Sequence, residues 1–275
     1  MRRKTLLAGS VALLALVAAA VMPAAARSHG SLSVACGDVI TTDTALVRNL
    51  TCSGDGLTVT NGALLDLHGQ RIRGSGVGRG VTVLGSGTVV TNGVVSGFDT
   101  GVYVDSNGAR VEDLVVKNNQ SYGIYLDGFH GVSDIVQRNV VEGNGTGIRL
   151  APAIRLVQIL DNRVRENQGD GIAATNQADG ARFERNHSSR NGGNGLVVSD
   201  SVATILDNRL NRNGLDGLRA DDSPEFASSW LIAGNRAKFN GGHGLNALTP
   251  GMSDGGGNRA LGNALDPQCV NLLCS

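Results

Sequence analysis

The stretch Asn162-Arg-Val-Arg-Glu-Asn167-Gln-Gly-Asp-Gly171-Ile172-Ala-Ala174 sets the reading of the whole chain. It is an asparagine, four residues, a second asparagine, three residues, a glycine and an aliphatic residue. The pattern returns at Asn186, Asn191 and Gly195-Leu196, at Asn208, Asn213 and Gly217-Leu218, and at Asn235, Asn240 and Gly244-Leu245. Towards the N-terminus the glycine–aliphatic pair persists at Gly147-Ile148, Gly123-Ile124, Gly101-Val102, Gly80-Val81 and Gly56-Leu57. Nine copies follow one another at steps of 24, 21, 22, 24, 24, 24, 22 and 27 residues. So steady a period marks a repeat architecture, in which each unit buries its apolar side against its neighbours.

Each glycine is followed by inward–outward alternation, as in Ile124-Tyr125-Leu126, Ile148-Arg149-Leu150 and Leu196-Val197-Val198. That is the period of a strand with one buried face. With 40 glycines in 275 residues and no sustained helical period beyond the N-terminal run, helices are disfavoured. A repeat of this length fits one coil of a parallel β-helix, with three short strands and three bends. Strand spacing then makes nine coils a rod about 45 Å long. The glycines suit bends, through positive φ or tight packing. The asparagines read as a ladder of stacked amides, favoured by their tolerance of left-handed turns, rather than as a row of sugar-binding groups. Asn139 and Asn144 stand one residue out of register before Gly147. The second inward residue thins along the rod, from Val59, Val83, Val104, Leu126 and Leu150 to Ala174, Val198, Ala220 and Ala247. Phe183, Phe226, Trp230 and Phe239 are the candidates to fill that half, Trp230 as filler rather than sugar platform.

These repeat residues resemble those of right-handed parallel β-helix proteins, the pectate-lyase-like superfamily, and within it the NosD-like group. The resemblance runs from about Cys36 to Ser275. It implies an all-β, single-stranded right-handed parallel β-helix of nine to ten coils. It does not imply one activity, because the scaffold hosts lyases, hydrolases, epimerases and proteins without chemistry.

The ends read differently. Residues 1–26 carry a basic start at Arg2-Arg3-Lys4, an apolar run from Leu6 to Val21 and small residues at Ala24-Ala25-Ala26, the pattern of a cleaved export signal. An uncleaved anchor and a twin-arginine route are the alternatives. The full chain has 24 basic and 24 acidic residues; without the three basic residues of the signal it has 21 against 24. That balance argues against a nucleic-acid partner. No later stretch is apolar enough to span a bilayer, and the rod is expected to be a secreted monomer. Four cysteines lie at the ends, and three pairings exist. In an oxidising compartment Cys36–Cys52 and Cys269–Cys274 is the economical one, closing both ends; metal binding is the rival. The expected organisation is a signal at 1–26, an N-terminal cap at 27–55, the helix at 56–257, and a last coil with cap at 258–275. Pro267 stands where the next glycine is due, so the sheet should stop there. In the segment around Leu65 to Ile72, Asp66 and His68 read as local turn formers.

Outward positions on the glycine strands are mostly bland, except in the middle. Tyr103 with Asp105, Tyr125 with Asp127, and Arg149 follow on successive coils, with His130 close behind. Carboxylates one coil apart stand about 4.8 Å from each other, a spacing that allows a shared calcium ion. Stacked tyrosines offer a platform to a sugar ring. In the family this face carries the sites, often acidic calcium ligands near a basic residue. The resemblance therefore implies Asp105, Asp127 and Arg149 as catalytic candidates, Asp105 and Asp127 as calcium ligands, and Tyr103, Tyr125 and His130 as substrate-binding residues. The bland reading makes the aspartates solvated turn residues. Arg219, Asp221, Asp222 and Glu225 mark a second, weaker candidate on the longest connection. Two functions follow. One is binding or acting on an acidic polysaccharide, with lyase-like or epimerase-like chemistry if catalytic; the other is a non-catalytic surface or interaction module.

Overall fold

The computed structural model describes residues 34–127, 133–175, 178–222 and 227–275, apart from the side chain of Ser228. The expected export signal lies outside these residues, as do His130, Glu225 and Phe226. The described chain winds as a parallel β-helix with three short strands per coil. The first face, built from the strands at the repeat glycines, is one sheet of eleven strands running from Val39–Ile40 to Cys269–Val270. The other two faces are fused, because Val89–Ser96 and Arg110–Lys117 run straight through the bend and pair with strands on both.

Later coils bend sharply between the second and third faces, and a left-handed residue makes each bend. Arg138, Asp161, Arg185 and Asp207 have φ between 53° and 55°, and each directly precedes a ladder asparagine: Asn139, Asn162, Asn186 and Asn208. After the third-face strands, on the way back to the first face, Asn118, Glu166, Arg190 and Arg212 are left-handed too, before Asn119, Asn167, Asn191 and Asn213. The left-handed position is thus one residue earlier than tolerance by asparagine would place it. A side chain there costs roughly 1–2 kcal/mol. The asparagine that follows offsets this by turning its amide inward.

Those amides form two buried ladders. In the first, the Asn139 backbone N–H and Nδ2 both donate to Asn162 Oδ1 at 3.0 Å, and Asn162 Nδ2 donates to Val136 O at 2.8 Å. The same bonds recur through Asn186, Asn208, Asn235 and Asn258. The second ladder runs from Asn119 through Asn144, Asn167, Asn191, Asn213 and Asn240 to Asn263. It closes on the Gln268 side chain, whose Oε1 accepts from Asn263 N at 2.9 Å and Nδ2 at 2.7 Å. At the other ends the N–H groups of Leu114 and Phe98 donate to Asn139 and Asn119. Asn139 and Asn144 therefore stand in register, and the missing residue is taken out of the turn before Gly147. With side chains this buried, the sugar-binding reading of the asparagines is excluded.

The repeat glycines serve packing. None of Gly80, Gly101, Gly123 or Gly195 has positive φ; a Cβ on each would stand 2.6 Å from the carbonyl oxygen of the matching glycine one coil on. Inside the rod, Phe183 and Trp230 are buried and fill the thin half, as expected. Phe239 does not: it is 54% exposed, because it occupies the left-handed bend before Asn240 and its side chain leaves the core. The sheet also outlasts Pro267. Gln268 O accepts from Gly244 N and Leu245 N, and Cys269–Val270 adds a last strand beside Leu245–Ala247. Asp66 makes its turn bond, accepting from His68 N at 2.7 Å. Both disulfides pair as expected, Cys36–Cys52 and Cys269–Cys274.

Asn186→Ala removes the acceptor from a buried backbone N–H, and Gly123→Ala drives a methyl group into a carbonyl. Each is expected to lower unfolding stability by about 1–3 kcal/mol. Denaturant titration checks this through a lower midpoint at unchanged slope.

Candidate functional site

On the first face, strand register decides which side chains share a row. Thr58, Thr82, Tyr103, Tyr125, Arg149 and Ala173 lie in one row, each paired with the next. Arg79, Thr100, Tyr122 and Thr146 form a neighbouring row, just before the glycines. The two rows converge on a surface cleft of about 300 Å³, lined by Arg79, Asp99, Thr100, Tyr103, Tyr122, Tyr125 and Asp127.

All three tyrosines of the chain are in this cleft. The Tyr103 and Tyr125 rings stack with centroids 5.7 Å apart and planes 9° from parallel. Tyr122 leans on Tyr125 at 5.0 Å and 45°. The Arg79 guanidinium lies over the Tyr103 ring, 3.4 Å from its centroid, a cation–π contact. The Tyr103 hydroxyl donates to Asp127 Oδ2. Burial pushes the Tyr103 phenol up to about 12, and the bond to Asp127 adds to the shift. Tyr125 is raised as well, first by burial and then by Asp127. At neutral pH Tyr103 is therefore a hydrogen-bond donor and not a base. Asp99 is held by Ser121, whose hydroxyl donates at 2.6 Å.

The structure thus brings Tyr103, Tyr125 and Asp127 together. Asp105 ends the strand of Tyr103 and contributes charge to it. Arg149 sits beside Tyr125 in the row but donates to Thr175 Oγ1 at 2.7 Å, towards the following coil. Ala173, the next residue of the row, and Ala151 are buried. Sequence reasoning passed over Arg79 and Tyr122. Its signal was available: both directly precede a repeat glycine, a position that returns across the bend to the same face. Asp105 and Asp127 supply at most four of the six to eight oxygens a calcium ion takes. Among the described residues no group of three or more His, Cys, Asp or Glu could hold a metal ion.

Asp134 was also missed. It is 1% exposed and accepts from Ala109 N at 2.7 Å and Ser106 Oγ at 3.1 Å, while its Oδ2 has no partner among the described residues. Burial pushes its carboxyl up to about 6. In the second candidate cluster the two aspartates are tied to the fold: Asp222 Oδ2 accepts from Trp230 Nε1 at 2.7 Å, and Asp221 Oδ1 accepts from Thr249 at 3.1 Å. Trp230, 1% exposed, cannot stack on a sugar.

Fold and face together define a parallel β-helix with an aromatic cleft on its first sheet. Residues 26–153 and 100–252 match the model of the right handed beta helix region, and the chain belongs to that family. No curated protein matches it in sequence. Among solved structures it is similar to the A-module of a mannuronan C-5 epimerase from Azotobacter vinelandii, at 16% identity and TM-score 0.58, over 88% of this chain and 79% of that one. It is similar to the pectate lyase Pel9A at 18% identity and TM-score 0.52, over 86% and 73%. It also resembles tailspike protein 2 of an Escherichia coli O157:H7 bacteriophage, at 14% identity and TM-score 0.53, over 76% of this chain but only 34% of the tailspike. At these identities the likeness is one of fold.

Two titrations check the local chemistry. Followed by tyrosinate absorbance, Tyr103 and Tyr125 should ionise above the ordinary tyrosine range, and Tyr103→Phe should remove the highest step. For Asp134 the folded state binds its proton more tightly than the unfolded state. Its contribution to stability is present at low pH and is lost as pH rises from about 4 to about 6. Asp134→Asn should therefore gain on the parent between pH 4 and pH 7, on the order of 1–3 kcal/mol by unfolding measured at both.

Proposed function

We propose that this protein binds a polysaccharide outside the cytoplasm, through the cleft of Arg79, Tyr103, Tyr122, Tyr125 and Asp127. The observation that carries the reading is the parallel-stacked Tyr103–Tyr125 pair with the Arg79 guanidinium over the Tyr103 ring. Aromatic rings offer a sugar's C–H face a broad apolar partner with polar handles at the rim. Arginine suits the carboxylate of an acidic sugar, because its fork bonds both oxygens. Two disulfides suit an oxidising, extracytoplasmic compartment. The similar epimerase and lyase are named for mannuronan and pectate, both acidic polysaccharides, which supports the same class here.

Chemistry at a uronate would follow from such binding. A base takes the proton beside the carboxylate; elimination then breaks the neighbouring C–O bond, whereas epimerisation returns a proton from the other side. Asp105, Asp127 and Arg149 are the candidates to act or to neutralise charge, and calcium would depend on water or sugar oxygens for the rest of its shell. A second reading, a non-catalytic structural rod, is favoured by the two unbroken asparagine ladders that stiffen the solenoid.

The test incubates the purified protein with polygalacturonate, alginate and glycosaminoglycans, with calcium or with chelator. Calorimetry follows binding, and ultraviolet absorbance follows unsaturated uronate. Binding is expected to fall at least tenfold in Tyr103→Ala/Tyr125→Ala at unchanged folding. Growth of absorbance lost in Asp105→Asn/Asp127→Asn makes the protein a lyase. Silence in both measurements leaves the structural rod.

A further inference from the structure

The third face carries a second pattern, visible only in register. Its outward row runs Arg163, His187, Arg209, Arg236, Arg259, each paired with the next. The companion row two residues on reads Arg165, Ser189, Asn211, Lys238, Leu261. Over these five coils the outward strand positions of this face hold five arginines, a lysine and a histidine, and no acid. Strand spacing makes the row about 19 Å long, with a side chain about every 4.8 Å.

Like charges directly opposite on neighbouring strands are destabilising, so an exposed sheet selected only for stability should mix signs. The second face and its bends do so. Arg110 pairs with Glu112, Arg138 with Glu112 and Asp113, Arg182 with Glu184, and Arg185 with Asp161. On the third face Arg165 meets Glu142 of the coil before the row. Arg163, Arg209, Arg236 and Arg259 are exposed and form no ion pair among the described residues. Their field is felt inside the row: His187 is held below its ordinary value, first by burial and then by Arg163, Arg209 and Arg190. The chain as a whole has 24 basic and 24 acidic residues, so the excess is local.

We propose that this arginine row is an anchoring surface for a linear acidic polysaccharide laid along the rod axis, separate from the aromatic cleft. A straight row at coil pitch complements a polymer whose charges recur along its length, and each guanidinium can bond a carboxylate or sulfate in two places. A bilayer surface would call for apolar side chains flanking the row. Here the exposed Phe239 and Leu261 lie at one end only. Bound in this way, the rod is held to its polymer by one face while the cleft of the first face stays open.

The test measures binding of the full protein to polygalacturonate and heparin fragments by calorimetry at several salt concentrations. Arg209→Ser/Arg236→Ser/Arg259→Ser is the variant, and Tyr103→Ala/Tyr125→Ala reports on the cleft. The arginine variant is expected to melt no lower than the parent, since repulsion is relieved, to bind at least tenfold more weakly, and to lose most of its salt dependence. The tyrosine variant is expected to lose the cleft's share of the binding but to keep the salt-dependent share set by the row, so the row and the cleft fail separately. Equal affinity of the arginine variant and parent overturns the proposal. So does a parent that binds anionic lipid vesicles or single-stranded DNA but neither glycan. Greater loss in heparin than in polygalacturonate assigns the row to sulfate; the reverse assigns it to carboxylate, and either supports it.

Discussion

The hydrogen bond from a backbone N–H to the asparagine side chain of the next coil is the interaction on which the rest of this protein depends. A sharp bend strands backbone donors inside the rod, where no water reaches them. The asparagine amide satisfies one donor, passes its own N–H to the next amide, and spends its second N–H on a carbonyl of the coil before. Because each link needs its neighbour at strand spacing, the ladder fixes the register of every coil it joins. It also makes the left-handed residue ahead of each asparagine tolerable, whether that residue is arginine, aspartate or glutamate. The chain has four Asn-x-Ser/Thr sequences of the kind that accept glycans, at Asn49, Asn119, Asn144 and Asn186; the last three are taken up by the ladders and buried, and Asn49 is exposed.

The aromatic cleft lies where the ladders begin. Phe98 and Leu114 close the stacks towards the N-terminus, and the strands of Tyr103 and Tyr125 cross the first face at those same coils. Here apolar stacks give way to amide stacks, and the long strands Val89–Ser96 and Arg110–Lys117 replace sharp bends. The face above is therefore held by a rigid body on both sides. On such a face a tyrosine platform needs no loop to support it, since the ring spacing is inherited from the strand spacing.

Charge is distributed with the same economy. Where arginine meets acid across coils, as at Arg138 with Asp113 or Arg185 with Asp161, the pairs are exposed and contribute little each. Where arginine meets arginine, the surface holds a repulsion that folding does not need. A solenoid makes this contrast easy to see, because every exposed position has a neighbour of known register above and below.

The sequence by itself determined the parallel β-helix, its coil length, the inward residues from Val59 to Ala247, the disulfide pairing and the row of Tyr103 and Tyr125. All of these follow from a period that repeats often enough to be read against itself. What only the tertiary structure decided lies where neighbours, not period, set the outcome. The repeat glycines leave room for a carbonyl of the next coil. Phe239 points outward because its backbone bends before Asn240. Arg79 and Tyr122 join the cleft because the residue before each glycine swings back over the first face. Asp134 is buried against Ser106 and Ala109, and Arg149 turns to Thr175. A repeat fixes which residues share a row; the direction each side chain takes from that row depends on the space its neighbours leave, and that is a property of three dimensions.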